Sequence, residues 1–124
     1  MLPSDSRLRS AADFSAVVRG GQRAGTRTLV IHLLQSGRAL PPRAGFVVSA
    51  KVGNSVIRHR VTRRLRPLLR AELRALPLGT DVVVRALPSA GFATSTDLGV
   101  DLRTGLAAAV RKRSRVPTNN EGER

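Results

Sequence analysis

One stretch limits the folds open to this chain more than any other: KVGNSVIRHRVTRRLRPLLR, Lys51 to Arg70. Apolar residues return through it every three or four positions, the period of a helix and not of a strand. Seven of its twenty residues are Lys or Arg, and none is acidic. A helix turns by about 100° per residue. With Ile57 at zero, Ile57, Leu68, Val61, Leu65 and Leu69 fall within an arc of about 120°. Arg66, His59, Arg70, Arg63, Arg74 and Arg60 fall on an opposite arc, with Arg58 and Arg64 at the flanks. The fold must therefore offer this helix an apolar surface on one side and leave the basic side open. Asn54 or Ser55 can cap it, so it is expected from about Val56 to Arg74. Pro67 lies inside, removes a backbone donor and predicts a kink or a break.

The remaining segments supply that surface. Ser10 to Arg19 reads as a short helix capped by Ser10, with Asp13 in a capping-box position and Gly20 and Gly21 at its end. Thr26 to Leu34 is β-branched and apolar almost throughout, a strand buried on both faces. Thr28, Val30 and His32 share one face of it. A loop, QSGRALPP, leads to a second strand at Ala44 to Ala50, and the short connection predicts an antiparallel hairpin. Asp81 to Ala86 is a third strand, and Leu87 to Ala93 a loop. Ser95 or Thr96 can cap a last helix whose Leu98, Leu102, Leu106 and Val110 form one stripe. From Ser114 the chain is polar and aperiodic. The expected organisation is one domain over 1–113 and a disordered polar tail over 114–124. The order α-β-β-α-β-α predicts an α+β fold, a two-layer α-β sandwich on a small mixed sheet.

Charge then points to a partner. The chain carries 22 basic and 8 acidic residues, a formal +14, and all but Lys51 and Lys112 of the basic ones are Arg. Such an excess opposes compaction unless an anion relieves it. Ordinary solvated helices mix both signs at i,i+4 spacing, because like charges there destabilise. In the basic helix Glu72 is the single acid. Phosphate is the anion that Arg's planar fork fits best, and phosphate contacts dominate nucleic-acid affinity. A membrane surface fits poorly, since Trp and Tyr are absent and no run is long enough to span. No cysteine is present, which removes disulfides and cysteine zinc sites. The N-terminal MLPSDSRLRS has no apolar core of a signal peptide, so a cytoplasmic location is expected.

Catalytic chemistry is not visible. The histidines are His32 and His59, and Ser49 has no general base near it in sequence. Asp97 and Asp101 sit i,i+4 on the last helix, but a helix-start charge and a solvated neighbour account for them without a metal.

The residues from Lys51 to Arg63, KVGNSVIRHRVTR, resemble the RNR signature of the bacterial ribonuclease P protein component family, K-x-G-N-A-V-x-R-N-R-x-K-R. Leu8-Arg9 and Asp13-Phe14 resemble that family's N-terminal "LR…DF" segment, and Arg43 to Ser49 its "RxGxxVS" strand. This sequence has His59 for the central Asn and Thr62 for the following Lys. The resemblance implies a ribosomal-protein-like fold with a left-handed β-α-β crossover. It implies a protein subunit of ribonuclease P, in which RNA is the catalyst that removes the 5′ leader of precursor tRNA. Lys51, Asn54, Arg58, His59, Arg60, Arg63, Arg64, Arg66 and Arg70 would then bind the catalytic RNA. Phe14, Val18, Val30, His32 and Val47 would line a leader cleft. The implied partners are ribonuclease P RNA and precursor tRNA, with no membrane and no small-molecule substrate. Magnesium would serve the RNA and its substrate, without ligands from this chain.

Two other classes share parts of this pattern. A basic ribosomal protein would have the same charge and would co-sediment with ribosomal subunits. A protein-only nuclease would need clustered carboxylates or histidines for metal, and would cut without RNA.

Overall fold

In a computed structural model, residues 7–115 are described. The chain runs through helix α1 (Ala11–Gly20), strands β1 (Gln22–Gly25), β2 (Leu29–Gln35) and β3 (Arg43–Val47), helix α2 (Ser55–Leu73), strand β4 (Thr80–Ala86), a 3-10 helix (Pro88–Phe92) and helix α3 (Ser95–Arg115). The order is α-β-β-β-α-β-α. Strand β1 is an addition to the sequence reading. α3 also continues two residues past the expected domain boundary at 113. The rest of the expected tail lies outside the described residues.

The sheet corrects one expectation. Its strand order is β1-β2-β4-β3. β2 and β3 are not a hairpin, because β4 lies between them, antiparallel to β2 and parallel to β3. The hairpin is instead β1–β2. The physical reason is burial: β4 is apolar on both faces, and Val82, Val83 and Val84 are fully enclosed only in a central position. β3, α2 and β4 thus form a parallel crossover between neighbouring strands.

The two faces of the sheet have different cores. Leu29, Ile31, Leu33, Val82 and Val84 meet Val61, Leu65 and Leu69 of α2 and Leu98, Leu102 and Leu106 of α3. On the other face Val17 of α1 packs with Leu8 and Val83, flanked by Phe14, Leu34 and Val47. The apolar arc of α2 is therefore its buried side, and α2 is continuous through Pro67 without a break. Loss of one backbone hydrogen bond is outweighed by Leu65, Leu69 and Leu73, buried on both sides of the proline. Ser10 caps α1, accepting the Asp13 N–H at 3.0 Å. The cap of α3 is Thr94, not Ser95 or Thr96: its hydroxyl accepts the Asp97 N–H at 3.0 Å. Gly45 has no Cβ because the Phe14 ring occupies that place; an added Cβ would lie 2.2 Å from Cζ.

Asp81 closes one end of the sheet. It is 4% exposed. It accepts from Arg38 Nη2 at 2.7 Å and from Arg43 Nε and Nη2 at 3.1 and 3.0 Å. Its hydrogen bond raises the Arg43 pKa above the ordinary guanidinium value. The loop before β3 is held by the same region: the Ser36 hydroxyl donates to the Gly79 carbonyl at 2.8 Å, and the Gly79 N–H to the Leu40 carbonyl at 2.7 Å.

Candidate nucleic-acid interface

Helix α2 starts where Asn54 stops the turn after β3. The Asn54 side-chain oxygen accepts the Ile57 N–H at 3.0 Å and so caps the helix. Gly53 precedes it with φ +156°, and an added Cβ would press on Ile57 at 2.9 Å. This entry sets the phase of every basic side chain that follows.

The basic arc is open. Lys51, His59 and Arg63 are exposed, and Arg58, Arg60, Arg64, Arg66 and Arg70 are half-buried. Two hollows flank His59. One, of about 290 Å³, is bordered by Val48, Arg58, His59, Thr62 and Arg66. The other, of about 440 Å³, is bordered by Ser55, Val56, His59, Arg60 and Arg63. Thr62, which stands where the RNR pattern has Lys, turns its hydroxyl back to the Arg58 carbonyl at 3.0 Å. It therefore borders the hollow with Arg58 and Arg66 without adding charge.

Two of the expected RNA ligands have a second role that sequence does not reveal. Arg60 Nη2 donates to the Gly91 carbonyl at 3.0 Å, and Arg64 Nη1 donates to the Ala93 carbonyl at 2.6 Å. Both reach from α2 to the 3-10 helix. A guanidinium has five N–H donors, so each arginine retains others for a phosphate.

The five cleft positions gather on the face of the sheet that α1 covers. Val30 and Val47 both pair with Arg85, and His32 pairs with Val83 beside Gly45. Phe14 and Val47 are half-buried and Val18 is exposed, whereas Val30 and His32 are buried. His32 is 3% exposed, and neither ring nitrogen has a hydrogen-bond partner among the described residues. Burial, then the nearby Arg85 and Arg23 charges, lower its pKa below 6.5. The ring is buried on the sheet face that α1 covers and offers no open face for stacking. A third hollow, of about 340 Å³, extends from Phe14 and Gly45 past Phe46 and Val48 to Thr62 and Arg66. It abuts the 290 Å³ hollow, since Val48, Thr62 and Arg66 border both. The side of α1 and the basic helix are thereby joined around β3. Arg7, Phe46 and Val48 belong to this path and were not expected from sequence, where nothing marks a half-buried strand end as a lining.

The carboxylates of α3 are engaged. Asp97 sits in the Thr94 capping box, and Asp101 accepts the Thr28 N–H at 3.1 Å and the Thr28 hydroxyl. Among the described residues no three His, Asp or Glu converge as metal ligands. No helix among them is long and apolar enough to cross a membrane.

Comparison with known proteins bears on the family and the fold. The family model Ribonuclease P matches residues 2–110. The ribonuclease P protein component of Salinispora tropica is 44% identical, covering 93% of this chain and 98% of the relative. That of Rhodococcus opacus is 50% identical, covering 86% and 90%. The structure of the Staphylococcus aureus RNase P protein superposes with a TM-score of 0.75 at 26% identity, over 84% of this chain and 94% of that one. With the motif, the fold and these relatives in agreement, the chain belongs to the family of bacterial ribonuclease P protein components.

Proposed function

We propose that the chain is the RNA-binding subunit of ribonuclease P in tRNA 5′ maturation, acting in the cytoplasm. The observation that carries this is the open basic arc of α2, flanked by two hollows and joined around β3 to the α1 side of the sheet. In this reading Lys51, Asn54, Arg58, His59, Arg63, Arg66 and Arg70 hold phosphates of the catalytic RNA, with the remaining donors of Arg60 and Arg64. The leader of precursor tRNA lies along Phe14, Val18 and Val47, over a floor that Val30 and His32 support from within. The protein raises substrate affinity and broadens substrate use, while the RNA performs the cleavage. Its engaged carboxylates leave magnesium to the RNA and the substrate.

Reconstitution with the cognate ribonuclease P RNA at low magnesium tests this. Addition of the protein should tighten precursor-tRNA binding and speed release of the leader. If neither changes, the proposal fails. Cleavage by the protein alone would move the chemistry from the RNA to the chain.

A further inference from the structure

Phe92 is 91% exposed, more than any other large apolar residue among those described. It stands at the end of the 3-10 helix Pro88–Phe92, and its mount is rigid. Ala90 and Ala93 on either side of it are buried. Gly91 is pressed so closely on α2's entry turn that an added Cβ would lie 2.8 Å from the Val52 carbonyl oxygen. The carbonyls of residues 91 and 93 are the two that Arg60 and Arg64 grip. The ring is thus exposed, and the carbonyls one residue before it and one residue after it each accept from an arginine of α2. A bare aromatic flanked by cations has the chemistry of a nucleobase platform: the ring takes the base, and the neighbouring arginines take its phosphate.

We infer that Phe92 is a stacking site for an unpaired nucleotide of the RNA that α2 binds, with Arg60 and Arg64 holding both the turn and the adjacent phosphate. The inference rests on the proposed RNA-binding role and adds a contact outside the RNR helix and the α1 cleft. Its charge surroundings favour RNA over a second copy of this chain, which would bring its own net charge of +14 against the same arginines.

The test measures affinity for ribonuclease P RNA as a function of salt. Wild type is compared with Phe92→Ala, Phe92→Leu and Phe92→Trp. Stacking adds affinity without releasing counterions. Phe92→Ala should therefore weaken binding by about 5- to 100-fold while the slope of log affinity on log salt stays unchanged. Phe92→Leu should lose most of that affinity, because it keeps apolar area but has no ring. Phe92→Trp should bind as wild type, and its emission should be quenched on RNA addition; no native Trp or Tyr competes with that signal. All variants should melt like wild type, since the ring lies in solvent. Phe92→Ala or Phe92→Leu binding as tightly as wild type overturns the inference while the RNA-binding role stands. Unquenched Trp in a formed complex does the same. If wild type itself fails to bind, both fail. If the free protein sediments as a dimer that Phe92→Ala dissociates, the ring belongs to self-association and the inference is overturned.

Discussion

At the scale of single residues, charge in this chain has two uses that composition cannot separate. In sequence Arg38 lies in the loop QSGRALPP, away from the basic helix. In the fold it holds the buried Asp81 at 2.7 Å. Arg38→Ala should therefore lower stability by about 1–2 kcal/mol, less than a fully buried pair because Arg43 remains and Arg38 is partly solvated. Arg111→Ala, on the exposed end of α3, should leave the urea midpoint unchanged and is the better control for RNA binding. Arg58→Ala should weaken RNA assembly more than Arg111→Ala; equal losses would mean that bulk charge alone matters. His32 gives a pH signature. Its folded pKa lies below 6.5, so below 6.5 the unfolded chain takes up a proton that the folded chain refuses. Stability from this group is complete above 6.5 and is lost as pH falls from there towards the folded value. Urea titrations at pH 7.5 and pH values below 6.5 should show that loss in wild type and a smaller one in His32→Leu. Equal losses would place the titration elsewhere.

At the scale of elements, most of the fold is legible in the sequence, and the failures have local causes. Periodicity and caps locate α1, α2, β2, β3, β4 and α3 to within a few residues. β1 escapes because QRAG has no alternation of large side chains and lies at an edge, where pairing needs little burial. The pairing of β2 with β4 escapes because no local signal says that a strand some fifty residues later enters between two neighbours in sequence. The outward arc of α2 is readable from a helical projection. The grip of Arg60 and Arg64 on residues 91 and 93 is not, since it depends on how α2 and the 3-10 helix meet. Pro67 shows the same limit: of the kink or break that local chemistry predicts, packing removes the break, and α2 runs on as one helix. The proline's position is exposed and helical, so Pro67→Ala should restore the bond to the Arg63 carbonyl. A gain of about 1–3 kcal/mol is expected by urea denaturation. No gain would mean that the helix already accommodates the missing bond by bending.

At the scale of the whole molecule, the +14 charge is divided by the fold. The apolar layers pack α2 and α3 on one face of the sheet and α1 on the other, and the arginines of α2 are collected on one accessible side. Binding through such a side should be strongly dependent on salt. If six of these side chains each meet a phosphate, log affinity against log salt should slope at about −4 to −5. A slope near zero would remove the basic arc from the account of binding.

The central place of β4 also sets an order of events in time. β3 bonds to the sheet through β4 alone, apart from the Arg7–Ala44 bridge at its other edge. Translation delivers Val47 well before it delivers Thr80 to Ala86. At bacterial speeds the gap from Val47 to Ala86 is roughly two to eight seconds. During that interval β1 and β2 can pair, whereas the nascent RNR segment emerges with no completed sheet to rest on. The ribosome thus exposes a polycationic, half-apolar segment before its docking surface exists, and the last strand to emerge is the one that brings the others together.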